Sequence, residues 1–515
     1  MRKIQLFGMS LITILVVVGL THVSSAQIAK ECDIAINSIT ESSGPVKVVG
    51  RQLMVKNSSG VYQLYIIKGV GYSPYPVGTY PYQYGICEYC PSGAHTCTYP
   101  NFHPSPNYPN VSCEGPTNIF DRIDVDIDRD FRKLQEMNVN TIRTWNKVSP
   151  RLLSEATAKN IKVIAGFWVG DENFADDGVR SRIRNDFRTY VTDLKDDPNF
   201  SSVLFIAIGN ENNYRLYTPG VPVPNAPQCF IPPGIAPDSF RMNKWYSLVE
   251  LMAMDARTIQ GNDYRPIAVV NGEISEIGFN ALGASDSQLC HVDIWGVNIY
   301  RGASFGNLFQ NYSTGPAPYS GKPLWIAEYG IDSWHAGDDF FHPEIGVPNE
   351  ALQASWNGKL WDEIINNRAV TIGGTVIEYS DEYWKDGDPW RLAAAPNFEQ
   401  DYGGYCPNYP YHTGSMPDGF FNEEWFGIMS VVPNGILPDF VFQRSTFTSL
   451  QKRFQCANTA NVFYAGSDNG KSCDGTSACC STATAKAKRG QCVTNCKIGV
   501  IESNPTKPSL KTMTK

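Results

Sequence analysis

The sequence predicts an α/β protein, a (β/α)8 TIM barrel with a short N-terminal β preamble and a small cysteine-rich C-terminal tail. Two observations carry that expectation. Eight apolar runs of strand length lie between residues 61 and 456, most of them near-continuously apolar, as expected for parallel strands covered on both faces. Helical periodicity fills most of the intervals, giving repeated βα units with long insertions. The rival is a doubly wound open sheet, which needs a glycine-rich turn after its first strand. Here that turn reads GVGYSPYPVG, and its prolines would spoil a helix N-terminus meant to hold a pyrophosphate.

In chain order, residues 1–26 read as a signal peptide. Arg2-Lys3 precedes the apolar run SLITILVVVGL, and Ser24-Ser25-Ala26 supplies small residues at a cleavage site. The run is short for a membrane span, which disfavours a signal anchor. The C-terminal NPTKPSLKTMTK is polar and has no lipid-anchor pattern. Residues 27–60 form the β preamble, with VKVVGRQLMVKNSSG as a hairpin. Residues 61–456 form the barrel. Its strands are YIIKGVGY (65–72), NTIRTW (140–145), IKVIAGFW (161–168), VLFIAIGNE (203–211), PIAVVNGE (266–273), VDIWGVNIY (292–300), PLWIAEYG (323–330) and IGGTVIEYS (372–380).

Helices are predicted over 122–137, from Ile123, Ile127, Phe131 and Leu134, and over 179–194, from Ile183, Phe187, Val191 and Leu194. Ser149-Pro150 opens another as cap and first-turn proline. Further helices are expected over 239–259, 350–366 and 444–455, with weak patterns after the fifth and sixth strands. An aromatic-rich insertion, 386–440, follows the last strand, and its WFGIMSVVPNG segment is expected to return to the barrel edge. Residues 457–515 are expected to be a disulfide knot with a disordered end.

A formal charge of −8 and the lack of a basic stripe argue against a nucleic-acid partner. All 14 cysteines follow Ala26, and in an exported chain an even number reads as disulfides. Cys87-Glu-Tyr-Cys90, with Cys97, Cys113, His95 and His103 nearby, also has the makings of a zinc site, but the compartment favours disulfides. Sequons at Asn57, Asn110, Asn199 and Asn311 fit an exported glycoprotein. The expectation is therefore a secreted, extracellular protein, cell-wall association included, with no cofactor, no metal and no stable membrane anchor. Its oligomeric state is left open.

Barrels of this kind work at the C-terminal ends of their strands. Those ends carry Tyr72, then Arg143 and Trp145, then Trp168 with Asp171 and Glu172, then Asn210-Glu211. The later strands end in Asn271 and Glu273, Asn298 and Tyr300, Glu328, and finally Glu378, Asp381 and Glu382. Glu211 and Glu328 stand out because each closes an apolar strand. Glycoside cleavage needs such a pair: one carboxyl protonated, to donate to the leaving oxygen, and one ionised, to attack the anomeric carbon or direct water to it. Either glutamate alone reads equally well as a salt-bridged residue at the barrel mouth.

GNE at the fourth strand and EYG at the seventh resemble the clan A retaining glycoside hydrolases. IKGVGYSP is similar to the first strand of family 2 hydrolases and of family 72 β-1,3-glucanosyltransferases, NTIRTW to the second strand, and GGTVIEYSDEYW to the last strand of the glucanosyltransferases. The resemblance implies that Glu211 is the acid/base and Glu328 the nucleophile. It further implies that Asn210 reaches a sugar 2-hydroxyl, and that Arg143 and Tyr300, from GVNIY, steady Glu328 by charge and hydrogen bonding. The chain departs from these families too. Residues 27–60 are too few for the accessory domains of family 2, and the cysteine pattern of family 72 around the seventh strand is not matched.

Flat aromatic faces suit sugar rings, so Trp145, Trp168 and Trp384 are expected as substrate platforms, with Tyr72 beside them. The tyrosine-rich loop 72–120 reads either as a cleft wall or as its own mini-core. The expected function is a secreted retaining β-glycoside hydrolase acting on a polysaccharide or oligosaccharide. The alternatives are a glucanosyltransferase remodelling wall glucan and a non-catalytic carbohydrate-binding protein on a hydrolase-like barrel.

Overall fold

In the computed structural model, residues 44–77, 118–216, 238–315, 320–335, 347–386, 416 and 422–456 are described, apart from positions 123, 171, 435 and 436. A two-residue ladder at 96–97 and 111–112 is described as well. The expected signal peptide, most of the tyrosine-rich first loop with Cys87, Cys90 and Cys113, Asp171, and the cysteine-rich tail lie outside the described residues.

Eight parallel strands close into a barrel, each bonded to the next in sequence and the eighth to the first. In order they are Ile67–Gly71, Thr141–Arg143, Lys162–Phe167, Val203–Ile208, Ile267–Gly272, Ile294–Asn298, Leu324–Tyr329 and Thr371–Val376. Every expected strand is present, with bounds that differ from the expected ones by up to four residues at either end. The fold is a (β/α)8 TIM barrel.

Strand parity sorts the side chains. Ile67, Ile164, Leu204, Ala268, Ile294 and Trp325 fill the interior. Val70, Ile142, Val163 and Ile326 face the helices instead. Before the barrel, Val46–Val49, Gln52–Lys56 and Tyr62–Leu64 make an antiparallel meander, and its Val46 and Leu53 pack with the barrel's interior residues.

The helices begin where their caps dictate. Asp126 accepts the amide of Arg129, so the first helix, Ile127–Glu136, starts later than the 122–137 periodicity predicts. A short turn capped by Asn118 occupies Ile119–Asp121. Ser149 caps Pro150–Ala158 through the amide of Leu152, as its sequence predicts. Asp177–Asp196, Ser239–Gln260 and Glu350–Asn366 follow the expected patterns. After the fifth strand only a single turn, Asn280–Leu282, forms, and after the sixth a short helix, Leu308–Thr314. No helix among the described residues is long and apolar enough to cross a membrane.

The chain does return to the barrel edge. Met429 bridges Ser380 just beyond the eighth strand, and Met429–Val432 pairs with Phe440–Gln443. The last helix, Ser445–Cys456, then packs on Glu350–Asn366 through the Arg453–Asp362 ion pair and the Thr446–Gln353 hydrogen bond. Buried Lys68 ties the first strand to this helix by donating to the Phe454 carbonyl at 3.0 Å.

Candidate active site

Beyond the fourth strand the segment Gly209-Asn210-Glu211-Asn212 folds back on itself. The Asn212 side-chain oxygen accepts the Asn210 backbone amide at 3.1 Å, while its Nδ2 donates to the Val169 carbonyl at 2.8 Å. Gly209 has φ +68, and a Cβ there would lie 2.3 Å from Asn212 Oδ1. Glu211 follows at φ 54, ψ 24, a left-handed conformation that costs a non-glycine residue on the order of 1 kcal/mol. Its amide is anchored on the Val270 carbonyl at 3.0 Å. The sharp turn at the end of a buried strand brings this carboxyl onto the sixth strand: Glu211 Oε1 accepts from Asn298 Nδ2 at 2.7 Å.

Glu328 is the next-to-last residue of the seventh strand and is 8 % exposed. Its Oε1 accepts from Arg143 Nη1 at 2.7 Å and from Trp145 Nε1 at 2.9 Å, and its Oε2 accepts from the Tyr300 hydroxyl at 3.0 Å. All three partners donate to it, and a carboxyl has acceptor sites for all three. Arg143 lies over the rings of Trp145 and Trp325, at 4.7 and 5.4 Å. Burial pulls the Arg143 guanidinium below its ordinary value, and the charge of Glu328 opposes that. Burial also pushes the Tyr300 hydroxyl well above its ordinary value, helped by the negative charge of Glu328, so it stays a neutral donor.

The two carboxyls belong to one network. Arg143 Nη2 donates to Asn210 Oδ1 at 2.6 Å, and Asn298 Nδ2 donates to the same oxygen at 3.1 Å. The path from Glu328 runs through Arg143, Asn210 and Asn298 to Glu211. Of the residues expected at the site, Glu211, Glu328, Asn210, Arg143, Tyr300 and Trp145 are thus brought together.

The other aromatics are placed differently. Trp168 follows directly on the third strand and is 38 % exposed. Trp384 is half-buried, its ring 6.1 Å from that of Tyr75. Tyr72 is a correction. It is wholly buried, packs on Phe120, Phe131 and Tyr379, and donates to Asp130 at 2.9 Å, so its ring is not available to a ligand. The reason is parity: Tyr72 shares the outward face with Val70, so it points at the helices.

Two features are not anticipated by the sequence. Asn298 reads there as a strand-end polar residue without a role. The second is a carboxyl cluster at the end of the eighth strand: Lys385 Nζ lies 3.7 Å from Glu378, 2.9 Å from Glu382 and 3.2 Å from Glu423. Burial, then the neighbouring Glu382, pushes Glu378 well above the ordinary carboxylate range. Burial likewise raises Glu423, and Lys385 opposes it. Glu423 comes from the insertion after the last strand, where no local sequence signal marks it. Among the described residues, Glu250, Cys290 and His291 bring metal-ligating atoms within 4.8 Å of one another, but the Cys290 sulfur is held in a disulfide and is no thiolate ligand.

No family model matches the chain, and no curated protein sequence does. Among solved structures it is similar to two GH2 beta-galacturonidase structures from Eisenbergiella tayi. Each is 13 % identical, with TM-scores of 0.43 and 0.45, covering 79 % and 81 % of this chain and 54 % and 55 % of theirs. It is also similar to a Parabacteroides merdae beta-glucuronidase at 12 % identity and TM-score 0.41, over 81 % of this chain and 39 % of that one. The chain therefore spans about half or less of the length of these proteins.

Proposed function

We propose that the chain is a retaining β-glycoside hydrolase acting on a polysaccharide or oligosaccharide, with Glu328 as nucleophile and Glu211 as acid/base. The observation that supports this is the contrast between the two carboxyls inside one hydrogen-bonded network. Glu328 is buried beneath a guanidinium, an indole N–H and a tyrosine hydroxyl. Glu211 is partly exposed and takes an amide proton from Asn298. Two acids in unlike surroundings can hold opposite protonation states at one pH, which is what the chemistry requires.

In the first step a Glu328 oxygen attacks the anomeric carbon as the glycosidic C–O bond breaks, and Glu211 gives its proton to the departing oxygen. In the second, water loses a proton to Glu211 and its oxygen displaces Glu328, restoring both groups. A sugar hydroxyl in place of water would give transfer. Asn210 Oδ1 is occupied by two donors, which leaves its Nδ2 protons for a substrate oxygen.

The test is turnover of a panel of aryl β-glycosides by the wild type, Glu328→Ala and Glu211→Ala. The wild type should cleave at least one member. Glu328→Ala should lose about 10³-fold or more on every substrate, and Glu211→Ala a similar factor on poor leaving groups only. Equal background rates for all three proteins would contradict the proposal and favour a binding protein.

A further inference from the structure

We propose that Asn298 is a positioning residue that locks the acid/base glutamate and the neighbouring Asn210 into working orientation through the two protons of one amide. The inference rests on the assignment of Glu211 and Glu328 proposed above, and deepens it.

Asn298 closes the sixth strand and is 2 % exposed. An asparagine is a costly choice for the buried end of a parallel strand unless every polar atom is satisfied. Its backbone carbonyl serves the fold by accepting the Glu273 amide at 3.2 Å. Among the described residues its side chain bonds to no backbone atom. Nδ2 donates to Glu211 Oε1 at 2.7 Å and to Asn210 Oδ1 at 3.1 Å, and Oδ1 faces Arg143 Nη1 at 3.5 Å. All three partners belong to the candidate site.

The chemistry selects the residue type. Holding two acceptors at once takes two diverging N–H bonds, and a guanidinium alongside takes an acceptor. Aspartate has no proton to give when ionised, serine has one, and leucine has none. Two consequences follow. Glu211, whose backbone sits in an unfavourable left-handed conformation, gains a fixed side-chain direction. Asn210, gripped on one oxygen by Arg143 and Asn298, cannot flip its amide without setting donor against donor.

The experiment compares the wild type with Asn298→Leu and Asn298→Ser on one reactive sugar bearing either a 2,4-dinitrophenyl or a poor phenolic leaving group, across pH. Misplacement of a catalytic group by about 1 Å lowers activity by up to about 10²-fold. That fall is expected on the poor leaving group, which needs the proton from Glu211, with a far smaller fall on the dinitrophenyl glycoside. The alkaline limb of the pH–rate profile should also move to higher pH, because a donor to the ionised Glu211 has been removed. Asn298→Ser, keeping one donor, should lie between, and it is read in the same way if the leucine variant does not fold. Equal falls on both substrates with an unmoved profile would assign Asn298 a structural role and overturn the inference, as would no fall at all. A wild type inactive on every β-glycoside would instead overturn the parent assignment, and this inference with it.

Discussion

Arg143 does two jobs with one side chain. Nη1 meets the Glu328 carboxylate and Nη2 meets Asn210, while the planar group lies near the rings of both Trp145 and Trp325. Removing one partner of a buried pair leaves the other charge uncompensated, so Arg143→Met should lower stability by about 3–5 kcal/mol in urea denaturation. Arg143→Lys should recover much of that stability and still lose kcat/KM, because one ammonium cannot replace a fork. Equal activity in the lysine variant would contradict a bidentate role. At this scale the sequence is legible where chemistry ends a strand. Glu211 and Glu328 stand out because a carboxylate after an unbroken apolar run demands an explanation. Asn298 does not, because an amide at a strand end has many ordinary uses, and only its two acceptors, the adjacent Asn210 and Glu211 far from it in sequence, give it a particular one. Tyr72 is misplaced by a sequence reading because proximity to a strand end does not say which way a side chain faces; the parity of Val70 and Tyr72 does.

The strands are legible as elements because parallel strands inside a barrel are apolar on both faces, and that pattern survives without alternation. The segments after the fifth and sixth strands give weak signals because they hold one turn and a two-turn helix, too short for periodicity. The seam between the eighth strand and the first rests on a feature that sequence shows only as a glycine. Gly373 has φ +119, and a Cβ there would lie 2.3 Å from the Ile67 carbonyl oxygen. Gly373→Ala should therefore cost on the order of 2 kcal/mol or more, read as a lowered denaturation midpoint. An unchanged midpoint would mean that the seam has slack that the packing does not show.

Over the whole molecule, the barrel gathers charge at its mouth from strands and from the late insertion. The Glu378, Glu382, Glu423 and Lys385 cluster depends on Met429 bridging back to Ser380, a contact that only the folded chain defines, which is why no sequence pattern announces it. Glu378 is held well above its ordinary value of 4.5, first by burial and then by Glu382. Between 4.5 and its raised value the folded protein keeps a proton that the unfolded chain releases. The contribution of Glu378 to stability is therefore full below 4.5 and is lost as pH rises through the folded value. Glu378→Gln should remove that slope, so thermal midpoints of variant and wild type should diverge as pH rises from acid to neutral, the variant holding up better. Parallel curves would contradict the assignment.

The central claim is that Glu328 becomes covalently bonded to the sugar. Incubation with a 2-deoxy-2-fluoro-β-glycoside carrying a dinitrophenyl leaving group, its sugar chosen from the substrates that the wild type cleaves, should give a stoichiometric adduct on the peptide containing Glu328, with loss of activity. An adduct on Glu211 or another carboxylate, or continued turnover that releases the inverted anomer with no adduct, would contradict the account.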